Sequence, residues 1–140
     1  MKKLFSYVGL ALVMVLMTGA LTAAAPTPNV TFNLVQGLPS TMNIGDTYTV
    51  VVEVASDTSF NSATAMPSFQ YPGKGVVAVQ GGDREGSGTS ATLEVTFTAK
   101  SNTLRMVNNQ AVVFVVVGVR FQGGYVAVQE YTFLVTVPPQ

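Results

Sequence analysis

The sequence predicts an all-β domain, a sandwich of about seven antiparallel strands. Apolar and polar residues alternate in several segments, as they do in strands that are buried on one side. Turn residues such as Gly, Pro, Asn and Asp separate these segments at intervals of roughly 8–12 residues. No segment repeats its apolar residues at the 3.6-residue period of a helix. These three observations together favour strands throughout.

Two strands are predicted in the first part of the domain. An extended lead-in with Pro26 and Pro28 precedes the first, which runs from Val30 to Val35. A turn at 37–40 separates it from a segment, 47–54, in which every second residue is apolar. The apolar members of that second strand are Tyr48, Val50, Val52 and Val54.

The middle of the chain is less regular. The polar segment 56–65 is predicted to be irregular and to be broken by Met66-Pro67. Short strands are expected at 69–71 and 76–80, followed by a glycine-rich loop at 81–88. A clear alternating strand comes next, with three apolar residues expected to face the core: Leu93, Val95 and Phe97.

Two long strands, 112–121 and 125–137, are predicted to close the domain as a hairpin. Gly123 and Gly124 lie between them, and glycine readily adopts the positive φ values that tight hairpin turns need. Pro138-Pro139 is expected to end the last strand.

The first 25 residues have the three-part layout of a secretory signal peptide. Met1-Lys2-Lys3 is basic, 4–17 is largely apolar, and small residues follow up to Ala25. Cleavage is expected after Ala24, because cleavage after Ala25 would place Pro26 next to the peptidase. The sequence thus predicts a cleaved signal at 1–24 and a single domain at 25–140, secreted to the extracellular space or cell surface, with the periplasm as an alternative. A retained membrane anchor would need about 20 apolar residues, more than this stretch provides.

Charge and missing residue types exclude several functions. The predicted mature chain has five basic and seven acidic side chains, a net charge of −2, which disfavours nucleic acid as a partner. The sequence contains no His and no Cys, so Ser–His–Asp triads, thiolate nucleophiles and thiolate metal sites are excluded. Asp83 and Glu85 are the only closely spaced acids, and we interpret them as solvated turn charges rather than a glycosidase pair or a calcium site. We therefore predict no enzyme activity, cofactor or metal.

Three segments resemble secreted microbial immunoglobulin-like domains. In 43–50, Gly45-Asp46 precedes an alternating Val/Thr strand, which is similar to the entry of the second strand of such domains. The segment 88–98 resembles their fifth strand, and 111–137 resembles their closing hairpin. The resemblance implies an immunoglobulin-like sandwich with Greek-key connections and an extracellular role in binding, adhesion or assembly. It carries over no functional residues, and the antibody-type Cys pair and Trp are absent.

The run 111–119 is apolar at almost every position, whereas a strand with one solvent-facing side should alternate. If the odd-numbered valines face the core, then Val112, Phe114 and Val116 face outward, and Leu134 and Val51 add to the same kind of surface. Large exposed apolar patches mark interfaces, so these residues are interface candidates. The alternative is that loops or the N-terminal segment cover them.

Two classes of function follow from these features. The first is a structural or protein-interaction domain at the cell surface that self-associates or docks onto an extracellular assembly or filament. In a filament, 26–35 could insert into a neighbour's sheet, or it could be the domain's own first strand. The second is a ligand- or carbohydrate-binding module with Tyr71 and Tyr125 as stacking surfaces. Asn29-Val30-Thr31 makes Asn29 a glycosylation candidate.

Overall fold

The computed structural model describes residues 26–69, 77–79, 81–100 and 110–139. These residues form eight β-strands, and none of them belongs to a helix long and apolar enough to cross a membrane. The strands are β1 (Val30–Gln36), β2 (Thr47–Phe60), β3 (Ser62–Phe69), β4 (Val77–Val79), β5 (Asp83–Glu85), β6 (Gly88–Ala99), β7 (Gln110–Arg120) and β8 (Val126–Thr136).

The strands form two four-stranded sheets. Sheet 1 has the order β1-β2-β6-β4, and sheet 2 has the order β5-β3-β7-β8. Every strand pair within both sheets is antiparallel. The chain passes from sheet 1 to sheet 2 at Asn61, whose backbone N–H donates to the carbonyl of Arg120 at 2.8 Å. The prediction of an all-β, two-sheet domain is therefore confirmed.

The core lies between the inward faces of the two sheets. Every second side chain is buried throughout β7, over 50–54 of β2 and over 93–99 of β6, which follows from the two-residue period of a strand. Leu93, Val95 and Phe97 face inward as predicted, each with at most 1 % of its surface exposed. At the edge strand β8, Tyr131 packs half-buried against this core, and its desolvation raises the pKa of Tyr131 above the ordinary 10.0.

A short segment after β1 ties the two sheets together. The N–H of Met42 donates to the carbonyl of Thr136 at 2.9 Å, and the N–H of Thr136 donates to the carbonyl of Ser40 at 2.8 Å. The Met42 side chain is fully buried in the core. The chain therefore covers the end of β8 before it re-enters sheet 1 as β2.

The predicted break at Met66-Pro67 was wrong, because both residues lie inside β3. Pro67 pairs with Val115 of β7, but it lies beyond Ala65, the last β3 residue that pairs with β5. At Pro67 the described part of β3 thus has one neighbouring strand, and proline is tolerated where one side of a strand needs no hydrogen bond.

Two further expectations for the middle of the chain need correction. The polar segment 56–65 is almost entirely strand, and the predicted loop at 81–88 contains the short strand β5. Asp83 explains part of this difference, because its carboxylate accepts hydrogen bonds from the N–H groups of Arg84 and Glu94, both at 2.8 Å, and so fastens β5 beside β6. The predicted signal at 1–24, Tyr71 and most of 99–109 lie outside the described residues.

The β7–β8 hairpin has the predicted glycine turn. Gly123 and Gly124 adopt φ values of 87° and 89°, a region that L side chains rarely occupy. The N–H of Phe121 donates to the carbonyl of Tyr125 at 2.9 Å and closes the turn.

We expect Leu93→Ala to lower the free energy of unfolding by about 2–5 kcal/mol, because it leaves a cavity between the sheets. Thr92→Ala, one residue earlier and exposed, should cost under about 1 kcal/mol. Urea unfolding followed by circular dichroism measures both values. Equal costs for the two variants would contradict the assignment of the inward face of β6.

Candidate functional site

The outward side of sheet 2 is lined by the residues of β7 that do not enter the core. Buried and half-buried positions alternate along this strand, and the half-buried ones include Val112, Phe114, Val116 and Gly118. All three interface candidates on β7 therefore point away from the core, as the sequence predicted.

Strand register places further apolar side chains beside them. Leu134 of β8 lies opposite Val112, and Val128 of β8 lies opposite Gly118. On the other side, Met66 of β3 lies opposite Val116. Met66, Val128 and Leu134 are 63 %, 60 % and 53 % exposed. We call the resulting surface the apolar face; its residues are Met66, Val112, Phe114, Val116, Val128 and Leu134.

Few polar groups interrupt the apolar face. Ser68 and Thr132 flank Phe114 on the two neighbouring strands, and Glu130 lies opposite Val116. The face covers three strands and about 20 Å along β7, so its area is on the order of 300–400 Å². Patches of this size on a monomer are often functional.

The outward side of sheet 1 has the opposite character. Thr47 and Thr98 share a hydrogen bond between their hydroxyls at 2.9 Å, and Thr49 and Thr96 share another at 2.9 Å. Val51, which we expected to add to an apolar surface, lies on this side opposite Glu94. It is therefore not part of the apolar face.

This difference between the two outward sides is informative because both occupy equivalent positions in one sandwich. The fold itself requires only an apolar inner side from each sheet. Sheet 1 meets that requirement and is mostly polar outside, whereas sheet 2 also has an apolar face on part of its outward side. The apolar face thus exceeds what the core demands.

The described part of the N-terminal segment lies away from the apolar face. From Val30 to Gln36 it forms β1, which pairs with β2 at the edge of sheet 1, and Val30 and Phe32 pack against the core. The described part of the segment is thus this domain's own first strand, on the other sheet from the apolar face. The exposure of Met66, Val128 and Leu134 shows that no other described residue covers them.

One end of the same outward side is polar and basic. Six residues line a depression of about 210 Å³ there: Ser62, Thr64, Arg84, Gly118, Arg120 and Val126. We call it the arginine depression. It adjoins the apolar face at Gly118 and Val128.

A larger cleft, about 670 Å³, lies on sheet 1. Glu53 and Glu85 face it together with Asn33, whose Nδ2 donates to Oε2 of Glu53 at 3.4 Å. The other lining residues are Thr31, Val54, Ala55, Ser90, Ala91 and Thr92. None of the residues that line this cleft is aromatic.

The remaining candidates are dispersed. Asn29 is exposed, and its backbone N–H donates to the carboxylate of Asp57 at 3.0 Å, so its side chain is accessible at the start of β1. The Tyr125 ring lies 5.8 Å from that of Phe121, beside the hairpin turn, and lines neither the cleft nor the arginine depression. Tyr71 lies outside the described residues.

Sequence reasoning missed two members of the apolar face. Val128 could have been found, because it is six residues from Leu134 on one strand and so shares its side. Met66 was assigned to a break in the chain, and only its pairing with Val116 places it here.

The chain matches no protein-family model, and no curated protein shows significant similarity to it. The solved structures that the chain weakly resembles include AvmM and Spo0M. AvmM, which catalyses macrocyclization in alchivemycin A biosynthesis, is 11 % identical over 81 % of this chain and 90 % of its own, with a TM-score of 0.46. Spo0M, a sporulation control protein from Bacillus subtilis, is 17 % identical over 80 % of this chain and 50 % of its own, with a TM-score of 0.44. Neither likeness carries a functional argument.

A matched pair of substitutions on β7 tests which side chains face outward. Val115→Thr should lower the free energy of unfolding by about 1–3 kcal/mol, because it buries a hydroxyl that lacks a partner. Val116→Thr makes the same chemical change on the apolar face and should change the free energy of unfolding by about 0.5 kcal/mol or less. Chemical denaturation measures both. A larger cost for Val116→Thr would show that this side chain belongs to a core.

Proposed function

We propose that this chain is an exported, non-enzymatic protein-interaction domain that associates with a second copy of itself through the apolar face. The observation that carries the proposal is the difference between the two outward sides, one built of hydrogen-bonded threonines and the other of valine, phenylalanine, leucine and methionine. Burying such a face against protein recovers about 25 cal/mol for each Å² of apolar surface.

The chemistry of the face favours a second copy over an unlike partner. Homodimer interfaces are richer in apolar surface than other interfaces, and charges commonly select unlike partners. Among the described residues in register with the β7 members of the apolar face, Glu130 is the one that is charged. Two copies can therefore stack their sheets face to face with few charges to desolvate.

The area of the face limits the strength of this association. Two faces of on the order of 300–400 Å² bury less than the roughly 1,200–2,000 Å² of a stable, specific complex. We therefore expect a weak dimer in dilute solution, which becomes effective when many copies are held together on one surface.

The contact we propose is pairwise. When a face packs against the same face of a second copy, association stops at two subunits. A filament would therefore need a further contact between two different surfaces. Insertion of 26–35 into a neighbour would require β1 to leave its place beside β2.

We also infer that the sandwich is of the immunoglobulin type, with Greek-key connections. In such domains strands A, B, E and D form one sheet and C, F and G the other. The order β1-β2-β6 corresponds to A-B-E, and β3-β7-β8 corresponds to C-F-G. The chain departs from this plan at β4 and β5, because the strand beside β6 precedes the strand beside β3.

Carbohydrate binding in the cleft on sheet 1 is the second candidate function. Its support is the set of carboxylate, amide and hydroxyl groups around about 670 Å³, groups that exchange hydrogen bonds with sugar hydroxyls. It is second because the described residues of the cleft include no aromatic side chain that would support it by ring stacking.

The proposed export predicts that the signal is cleaved after Ala24. When the chain is expressed with its first 24 residues in a secreting host, mass spectrometry of the exported protein should find Ala25 at the N-terminus. Replacing Leu10, Leu12 and Val13 by charged residues should keep the protein inside the cell, because the apolar stretch is then interrupted. Exported protein that still contains Met1-Lys2-Lys3 would contradict a cleaved signal.

Self-association is tested by Phe114→Thr combined with Val116→Thr. Sedimentation velocity over a range of concentrations should show a dimer for the unchanged domain and at least tenfold weaker association for the double variant. Val51→Thr is the control, because it makes the same kind of change on sheet 1. An unchanged domain that stays monomeric at millimolar concentration would contradict the proposal.

A further inference from the structure

The arginine depression brings together two basic residues that are far apart in the sequence. Thr64 of β3 lies opposite Arg84 on one side and Gly118 on the other, and Ser62 lies opposite Arg120. The two arginines therefore belong to the strands on either side of β3. Those strands are about 10 Å apart, a distance that two arginine side chains can span from opposite sides.

Neither guanidinium is neutralised by a residue that the structure describes. Among the residues that the structure describes, Arg84 and Arg120 form no ion pair and no side-chain hydrogen bond. The neighbouring acids are engaged elsewhere, since Asp83 accepts two backbone N–H groups and Glu85 lines the cleft on sheet 1. Two of the chain's three arginines thus lie on one depression, and no described carboxylate pairs with either of them.

Guanidinium groups present paired N–H donors that match the two oxygens of a carboxylate, and such charge-assisted hydrogen bonds are the strong ones. The same donors also match a phosphate, so the ligand of this depression should carry one of these anions, and we take the carboxylate. Glu130 is an acid on the same outward side. It lies opposite Val116, farther along the sheet than Gly118 and Val128, and does not line the depression.

The rest of the lining indicates what carries that carboxylate. Ser62 and Thr64 supply hydroxyls, Val126 supplies an apolar wall, and Gly118 leaves its part of the floor without a side chain. The volume of about 210 Å³ is below the roughly 300–1,000 Å³ of sites for drug-sized ligands, so it suits a group about the size of one sugar ring. The depression lies on a sheet face, where an extended peptide cannot add as a strand.

We propose that the arginine depression binds the carboxylate of an acidic saccharide, with Arg84 and Arg120 holding the carboxylate and Ser62 and Thr64 bonding to ring hydroxyls. This site goes beyond the proposed self-association, because none of its six residues belongs to the apolar face. A surface-exposed domain would use it to attach to an acidic polysaccharide.

Calorimetric titration of the domain with a galacturonate oligosaccharide at low salt tests the site. The unchanged domain should bind, and Arg84→Gln and Arg120→Gln should each weaken binding about tenfold, as the loss of one charge-assisted contact predicts. Lys100→Gln removes the same charge from an exposed position outside the depression and should leave the affinity unchanged. The methyl-esterified oligosaccharide, which has no free carboxylate, should not bind.

A second variant keeps both arginines and fills the depression. A Cβ atom at position 118 would lie 3.6 Å from Oγ1 of Thr64, an ordinary contact, so Gly118→Ala should fold normally. The larger Gly118→Val should abolish binding while urea unfolding shows a folded domain. Equal binding by the unchanged domain and by the Arg84→Gln, Arg120→Gln double variant would overturn the proposal.

Two other outcomes would also overturn it. One is no binding by the unchanged domain at millimolar oligosaccharide, and the other is tighter binding of a poly-glutamate peptide, which would assign the site to an acidic protein. The Phe114→Thr, Val116→Thr variant should bind the oligosaccharide normally. Loss of dimers and loss of sugar binding are thus separate results.

Discussion

Strand β7 is apolar on both of its sides, and the rest of the structure depends on this constraint. Val113, Val115 and Val117 are fully buried between the sheets. The intervening residues form the centre of the apolar face, with β3 and β8 hydrogen-bonded on either side. The core covers one of these sides fully, whereas on the other side the β7 residues are only half-buried by the described part of the chain.

Sheet 1 shows how the same architecture is built when one side meets solvent. Strands β2 and β6 place Val50, Val52, Leu93 and Val95 in the core, and their outward residues are mostly threonines and acids, with Val51 among them. The threonine hydroxyls bond to one another across the strands, so these side chains have partners without any second protein. Because both sheets enclose one core, the core does not account for their difference outside.

Gly118 lies at the boundary between the apolar face and the arginine depression, both on the outward side of sheet 2. Toward Val112 the outward residues of β7 are large and apolar, and toward Arg120 they give way to a depression with two guanidinium groups. If both proposals hold, one sheet would pack against a second copy and hold an acidic saccharide beside that contact. Placing both on one sheet leaves the threonine side of sheet 1 exposed to solvent.

The sequence by itself determined the strand class, the inward side of β2, β6 and β7, and the glycine turn of the closing hairpin. These features are local: alternation has a period of two residues, and a positive φ depends on the residue that adopts it. The outward direction of Val112, Phe114 and Val116 followed from the same period.

Only the tertiary structure decided which strands are neighbours. It separated Val51 from Leu134 by placing them on different sheets, and it moved Met66-Pro67 from a break into β3, where pairing on one side tolerates proline. It also brought Arg84 and Arg120 to one depression. The physical reason is that strand pairing joins residues distant in the chain through backbone hydrogen bonds, which are chemically alike for every strand, so the order of strands is set by how the whole core packs.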